Sequence, residues 1–558
     1  MTVGVLDRPW LFAVGLVVVM CCGVIDIGTA VAELNRKDRA ALLLSTQLQF
    51  NSDNIPLIPV GIVEGADEVR FSVKSGLVVL PDGVGGSEIE LPGPGQFTVH
   101  IEGGIPAQVQ YFPVVANLPA ADIDAVRQVM KRWEERYFKV QLVELGSVFG
   151  FYGRVLDSRT VLVAINKPES AFEKAEEVAR TLAGAYADAD IGVHAELAQP
   201  QRGTVVLTNG TVTIRNPNLL EIRSVSGDPV IIKNVEFGRG FAWHGKEDRS
   251  YRGDLVLAVG RSGNTAVVNI NPAETILKGL VPSEIYITSP PEALKAQAIV
   301  ARGELLSKIG HRHLADPFFV CADVHCQVYK GIGKEDPRSN AAVDATKGRL
   351  LFHGTTLVDA YYSANCGGHT ENNEDVWATK PKPPLRGILD NKVANTDFGR
   401  IDDTNIHGFV DNPPRAYCAQ ATLGSANFRW TVTKTAEQLA ESLAKIKAVG
   451  LVTDIIVLQR GVSGRAKKVE VRGANDTVIL APELQIRQAL GGLKSSMFVV
   501  EKRPGPTPAE AQFVFRGGGF GHGVGMCQTG AIGAAEAGLT HEAILRHYYQ
   551  GTELQTIY

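Results

Sequence analysis

One stretch constrains this chain more than any other: Val281-Pro-Ser-Glu-Ile-Tyr-Ile-Thr-Ser-Pro-Pro-Glu-Ala-Leu-Lys-Ala-Gln-Ala-Ile-Val-Ala-Arg302. A strand or loop end carrying Glu284 is expected first, then a sharp helix start at Ser289. Two prolines follow at the first helical positions, where the missing N–H would have had no intrahelical partner. Ser289 and Glu292 stand at the spacing of a capping box, in which each side chain bonds the other's backbone N–H. Leu294, Ala298, Ala301, Leu305 and Ile309 then recur every three or four residues, predicting a helix buried along one face.

The two carboxylates of this stretch have different prospects. Glu292 has capping to do. Glu284 has no structural task and lies among Val281, Ile285, Tyr286 and Ile287. Loss of water there raises a carboxyl pKa toward neutrality, as a general acid requires. One Glu among 60 acidic residues is ordinarily a solvated surface group, so this reading needs support from elsewhere in the chain.

That support is a resemblance carried by seven stretches in order. Glu284 with Pro291-Glu-Ala-Leu-Lys-Ala-Gln-Ala-Ile-Val-Ala-Arg302 comes first, then Cys326-Gln-Val-Tyr-Lys-Gly331, Ala345-Thr-Lys-Gly348 and Ala360-Tyr-Tyr-Ser-Ala-Asn-Cys-Gly-Gly-His-Thr-Glu371. Phe428-Arg-Trp430, Leu493-Lys-Ser-Ser-Met-Phe498 and Gly521-His-Gly-Val-Gly-Met-Cys-Gln-Thr-Gly-Ala531 complete the series. From about residue 206 to the end, the chain resembles the SpoIID/LytB family of sporulation protein D and amidase-enhancer proteins. The resemblance implies action on bacterial cell-wall peptidoglycan. It also implies a lytic transglycosylase acid at the Glu eight residues before the Glu of the Pro-Glu-Ala-Leu run, which is Glu284 here. Gln297 and Arg302 fall in the signature and are implied to contact the glycan. The alternative function it implies is a non-catalytic, glycan-binding enhancer of a cell-wall amidase.

The fold expected is α+β: β-rich, with several helices on mixed sheets, and a SpoIID-like catalytic domain preceded by a small α/β domain. Residues 1–32 read as a signal peptide or N-terminal anchor, because an apolar run from Trp10 to Ile25 is followed by Ala30-Val31-Ala32. Export to the periplasm or cell envelope follows, with membrane contact only through that segment if it is retained. Residues 33–203 read as a β-rich and α/β region that faintly resembles glycan-holding SPOR repeats, and 204–558 as the SpoIID/LytB-like domain. Short strands are expected at 58–62, 68–72 and 97–101. Helices at Ala120 to Tyr137 and Pro168 to Ala183 flank strands at 139–143 and 160–165. Later, Ala436 to Val449 reads as an amphipathic helix stopped by Gly450, and Thr540 to Tyr549 as a closing helix. A net charge of −4 gives no electrostatic case for nucleic acid.

Five cysteines follow residue 32: Cys321, Cys326, Cys366, Cys418 and Cys527. An odd number in an exported chain asks for a free thiol or a metal. His313, Cys321, His325 and Cys326 form a zinc-type ligand set, and some SpoIID/LytB members bind zinc in this region. Adjacent His325 and Cys326 could both ligate only from a loop. A Cys321–Cys326 disulfide remains the rival, and any zinc would be structural or modulating, with no cofactor required for catalysis. Gly367 and Gly368 allow backbone close to a ligand, with Ser363, His369 and Thr370 able to hydrogen-bond a sugar. Cys366 is a candidate to pair with Cys418. His522 and Gln528, in and beside the glycine-dense Gly517–Met526 run, are further candidates for substrate contact. That run lacks the Gly-Lys-Ser/Thr of a phosphate loop, and no His-Glu-x-x-His accompanies the cysteines.

Overall fold

Alternating runs of Val, Ile and Leu in the first half of the chain become strands of two sheets. The computed structural model describes residues 43–45, 47–83, 85–146, 148–151, 154–186, 188–239, 243–323, 325–377, 379–391 and 398–558. The expected signal peptide or anchor therefore lies outside the described residues. In the larger sheet the strand order is Gln49–Phe50, Pro56–Ala66, Thr265–Pro272, Asp254–Val259, Leu219–Ser224, Gly76–Leu80 and Ile89–Pro92, with Val320–Cys321 added parallel to Pro56–Ala66. The second runs Thr213–Pro217, Arg202–Thr208, Gly95–Ile105, Glu68–Val73, Val230–Phe237 and Gly245–Tyr251. Inward residues of both, such as Val60, Phe71, Val99, Leu207 and Leu257, share one apolar core.

The boundary expected at residue 203 falls inside this body. Val205 pairs with Ile101 and Leu207 with Val99, while Asn269 pairs with Val60. Strands before and after the α/β region thus complete each other, and residues 108–199 are inserted between them. The insert is a four-stranded antiparallel sheet, ordered Gly192–Gln199, Gln108–Pro119, Thr160–Ile165, Val140–Leu145. Helices Ile123–Glu135 and Phe172–Ala185 complete a β-α-β-β-α-β pattern. Trp133, fully buried against Phe138 and Tyr186, centres its core.

Two helices link the sheets to the rest of the molecule. The first, Ala273–Glu284, buries Ile276, Leu277, Leu280 and Val281; Glu284 is its last residue, not a strand or loop end. The second, Pro291–Ser307, begins after Pro290, whose carbonyl accepts from Ala293 and Leu294 N–H. No capping box forms. Ser289 is buried with its Oγ unpartnered among the described residues, and Glu292 turns away to His541 and Lys295. Nor is one face alone buried. Ala293, Leu294, Ala298, Ala301 and Leu305 face the sheet core, while Ala296, Ile299 and Val300 enter a second core with Val358, Cys366, Met526 and Ala531. A stripe of apolar residues marks one buried face, but alanines on the other side are small enough for a second layer to close over them.

Beyond residue 428, two three-stranded sheets and helices Ala436–Leu443 and Glu483–Ala489 enclose a further core around Trp430, Leu439, Val469 and Phe515. The helix expected to reach Val449 ends at Leu443, and Ile446 is exposed. His541–Tyr548 closes the chain against the second core, capped by Thr540.

Candidate active site

The helix Ala273–Glu284 ends where its carbonyls gather negative potential, an unfavourable place for a carboxylate. Gly279 lets it approach the segment below, because a Cβ there would meet the Gly331 carbonyl at 2.4 Å. Glu284 is half-buried. Burial pushes its carboxyl up to about 7; the Val328 N–H, which donates to Oε1 at 3.1 Å, pulls the other way, and the Glu304 charge adds to the rise. The Tyr362 hydroxyl also hydrogen-bonds the carboxylate. Glu304 itself is buried, paired to Lys308 Nζ at 2.5 Å and bonded by Gln327 Nε2 at 3.1 Å. It is thus committed within the protein. This arrangement holds one proton close to neutral pH on a carboxyl with two fixed donors around it, which is the condition for general acid catalysis.

Gln528 Nε2 donates to the Glu284 carbonyl at 2.8 Å and to Gln297 Oε1 at 3.2 Å. Both glutamines are buried, so they support the acid from behind and do not line a groove. Arg302 is fully buried in a two-pronged pair with Glu274, both contacts 2.8 Å, and its role is internal. Ser363, Gly367, Gly368, His369 and Thr370 are likewise buried. His369 Nδ1 bonds the Thr370 carbonyl at 2.7 Å, and burial drives its pKa down to about 4. Thr370 Oγ1 braces Ile388 in both directions. Gly367 has φ +73, and a Cβ there would strike the Gly518 carbonyl carbon at 2.8 Å; the close approach is to protein backbone, not to a ligand. These residues build a folded loop and do not face solvent as the sequence suggested.

His522 alone of the expected sugar contacts keeps accessible surface. Its Nδ1 accepts from Val524 N–H and its ring bonds the Tyr362 backbone. Burial and the charges of Arg465 and Arg487 hold it down at about 3, so it stays neutral. Its ring lies 5.0 Å from Trp377, which lies 4.6 Å from Tyr361. Trp377 is exposed. Three aromatic groups thus sit beside the strand carrying Tyr362.

His313, Cys321, His325 and Cys326 do converge, their ligand atoms all within 4.8 Å of one another. His325 and Cys326 sit in a turn, as joint ligation requires. Asp316 holds His313 Nδ1 at 2.9 Å, leaving Nε2 directed at Cys326 Sγ, 3.3 Å away. His313 adopts φ +53 to do this, a region that favours glycine. A carboxylate fixing the far nitrogen of a ligand histidine is the usual outer shell of a zinc site. The two sulfurs are 2.9 Å apart and both cysteines are free thiols. The donor types fit zinc, although two thiolates on one tetrahedral ion stand about 3.8 Å apart, wider than these sulfurs. The cluster also touches the acid site: Lys308 Nζ donates to the Cys326 carbonyl at 2.7 Å, and two residues later Val328 supplies its N–H to Glu284.

The Cys366–Cys418 bond is not formed. Their sulfurs are 3.7 Å apart, far beyond a disulfide's roughly 2.0 Å. Sequence reasoning also passed over Tyr362, Gln327, Val328, Glu304 and Lys308. Tyr362, Gln327 and Val328 stand inside quoted motifs, and a donor beside the acid would have been the signal to seek there.

Residues 261–353 match the family model described as stage II sporulation protein, and residues 371–525 match a domain of unknown function. The chain is 30% identical to stage II sporulation protein D of Bacillus subtilis, over 53% of this chain and 78% of that protein. It is 28% identical to the amidase enhancer of Bacillus subtilis, over 50% of this chain but only 40% of that longer protein. An uncharacterized protein of Brachyspira hyodysenteriae is 27% identical, over 62% of this chain and 83% of its own length.

Proposed function

This chain belongs to the SpoIID/LytB family, and from that premise we propose that it acts on the bacterial cell wall as an exported lytic transglycosylase. The substrate is the peptidoglycan glycan strand, stripped of its peptides, and the bond cut joins N-acetylmuramic acid to N-acetylglucosamine. The observation that carries this reading is the half-buried Glu284 with its carboxyl near neutrality.

Protonated Glu284 gives its proton to the glycosidic oxygen as the bond from that oxygen to C1 breaks. Positive charge develops on the sugar ring. The resulting carboxylate, held by Val328 N–H and the Tyr362 hydroxyl, then takes the proton of the muramic 6-hydroxyl as its oxygen bonds to C1. The product is a 1,6-anhydro end, no water is consumed, and Glu284 is returned protonated. Hydrolysing glycosidases ordinarily need a second carboxylate across the bond. Here the substrate's own hydroxyl takes that part, and Glu304 is committed to Lys308. Trp377, Tyr361 and His522 offer aromatic faces for the apolar side of a sugar ring.

Zinc at His313, Cys321, His325 and Cys326 belongs to the same reading. Four protein ligands leave no position for substrate, so the ion would cross-link the loop rather than act as catalyst. The residues themselves fix Cys326, and through it the Val328 N–H at the acid.

A second reading is favoured by the amidase enhancer among the relatives: the same surface holds glycan and recruits a cell-wall amidase without cutting. Incubating the protein with denuded glycan strands and examining the ends by mass spectrometry separates the two. Anhydro ends, one water lighter than hydrolytic ends, are expected from the unmodified protein and not from Glu284→Gln. Unmodified protein that leaves the strands intact while accelerating an added amidase would replace the first reading by the second.

A further inference from the structure

A second cluster lies deeper in the molecule. Cys366, Asp390, Cys418 and Cys527 come from four separate segments, and every one of them is fully buried. Their ligand atoms all lie within 4.8 Å of one another. We propose that these four residues form a metal site for a soft divalent cation of the zinc type, independent of the His313–Cys326 cluster.

Three observations lead there. The first is geometry: zinc–thiolate bonds of about 2.3 Å in a tetrahedron place sulfurs roughly 3.8 Å apart, and Cys366 Sγ stands 3.7 Å from Cys418 Sγ. The second is the outer shell. Cys527 Sγ accepts from Cys366 N–H at 3.1 Å and Gly530 N–H at 3.2 Å, the latter in the first turn of helix Gln528–Glu536. Backbone donors on sulfur stabilise thiolate, the form that binds metal. Asp390 receives the Tyr548 hydroxyl at 2.6 Å on one oxygen and Cys418 N–H at 2.8 Å on the other, which orients it as outer-shell partners orient a ligand.

The third is charge. The cluster sits in an apolar core with Val376, Tyr417, Met526 and Ile544. All four ionisable side chains are fully buried there. Arg429 is close enough to feel two of these thiols, but its own donors go to the carbonyls of Val410, Gly367, Phe428 and Phe409. A buried divalent ion supplies the compensation that such a group of acids needs. The two clusters together hold every cysteine after residue 32. Cys527 also precedes Gln528, which grips the Glu284 carbonyl, so an ion here would fasten the rear of the acid site.

The test is metal content of the full-length protein, purified with zinc and without thiol reductant or chelator, measured by inductively coupled plasma mass spectrometry. Two zinc per chain are expected, falling to one in Cys418→Ser and to one in Cys326→Ser. Because a core variant can misfold, the unmodified protein is also unfolded and its thiols counted, with an intact mass recorded. All of Cys366, Cys418 and Cys527 should react as free thiols. Cobalt(II) exchange should add a thiolate-to-metal absorption band that Cys326→Ser retains. A mass lower by two hydrogens with linked Cys366 and Cys418 peptides, or free thiols with no metal, overturns the proposal. Loss of zinc only in Cys326→Ser does so as well, and leaves the reading of the other cluster standing.

Discussion

Glu284 and Glu292 stand eight residues apart in one motif, yet their surroundings drive them in opposite directions. Glu284 ends a helix, where the dipole is negative, and the partial burial of its carboxyl raises it to about 7. Glu292 opens the next helix, where the dipole is positive. Burial opposes its ionisation, yet hydrogen bonds from Lys295 and His541 hold it down at about 2. One is a proton donor at neutral pH and the other a permanent anion tying two helices together. The same side chain becomes reagent or rivet according to which helix end it occupies and how many donors reach it.

Exchanging each for glutamine tests the contrast most directly. Glu284→Gln should lower the rate of anhydro-end formation by about 100- to 10,000-fold, the usual worth of a general acid, while Glu292→Gln lowers it less than tenfold. Equal losses in the two variants would end the distinction. On stability the order reverses. Glu292→Gln gives up charge-assisted bonds to His541 and Lys295 and should cost about 1–3 kcal/mol at pH 7 by urea denaturation. Its folded pKa lies below the ordinary 4.5, so this contribution is present above that value and shrinks as pH falls toward 2. The variant and the parent should therefore converge in acid.

A finer test uses Tyr362. Its hydroxyl favours the Glu284 carboxylate, so Tyr362→Phe should move the alkaline limb of kcat/KM upward, by under about one pH unit. A limb that stays in place would show that the hydroxyl does not reach the reacting acid. A further effect concerns stability at Glu284 itself. A folded pKa above the ordinary 4.5 means the parent protein loses stability as pH rises from there to about 7. Glu284→Gln should lack that slope, and its urea midpoint should equal or exceed the parent's above neutrality.

Much of this was legible in the chain. The strands at 68–72 and 160–165 and the helix start near the paired prolines follow from local alternation, periodicity and proline geometry, which neighbours in space do little to change. Glu284 was legible as an acid in apolar company. Glu292 was misread, because a capping box and a carboxylate bound to a helix 249 residues away look the same at short range. Arg302, His369 and Thr370 read as sugar contacts in the sequence because polar residues in a motif look available. Glu274 and the Ile388 carbonyl claim Arg302 and Thr370, and His369 is closed inside its own loop.

The sequence by itself determined most kinds of elements and their order, and pointed to Glu284 as the candidate acid. Those depend on dihedral preference and hydrophobic pattern within a few neighbours. Only the tertiary structure decided that residues 49–105 complete the sheets of residues 202–272, that the central helix is enclosed on both sides, and that Cys366, Asp390, Cys418 and Cys527 meet from separate segments. Such facts rest on contacts between parts of the chain far apart, and the desolvation that raises Glu284, like the hydrogen bonds that lower Glu292, exists only once those parts have closed together.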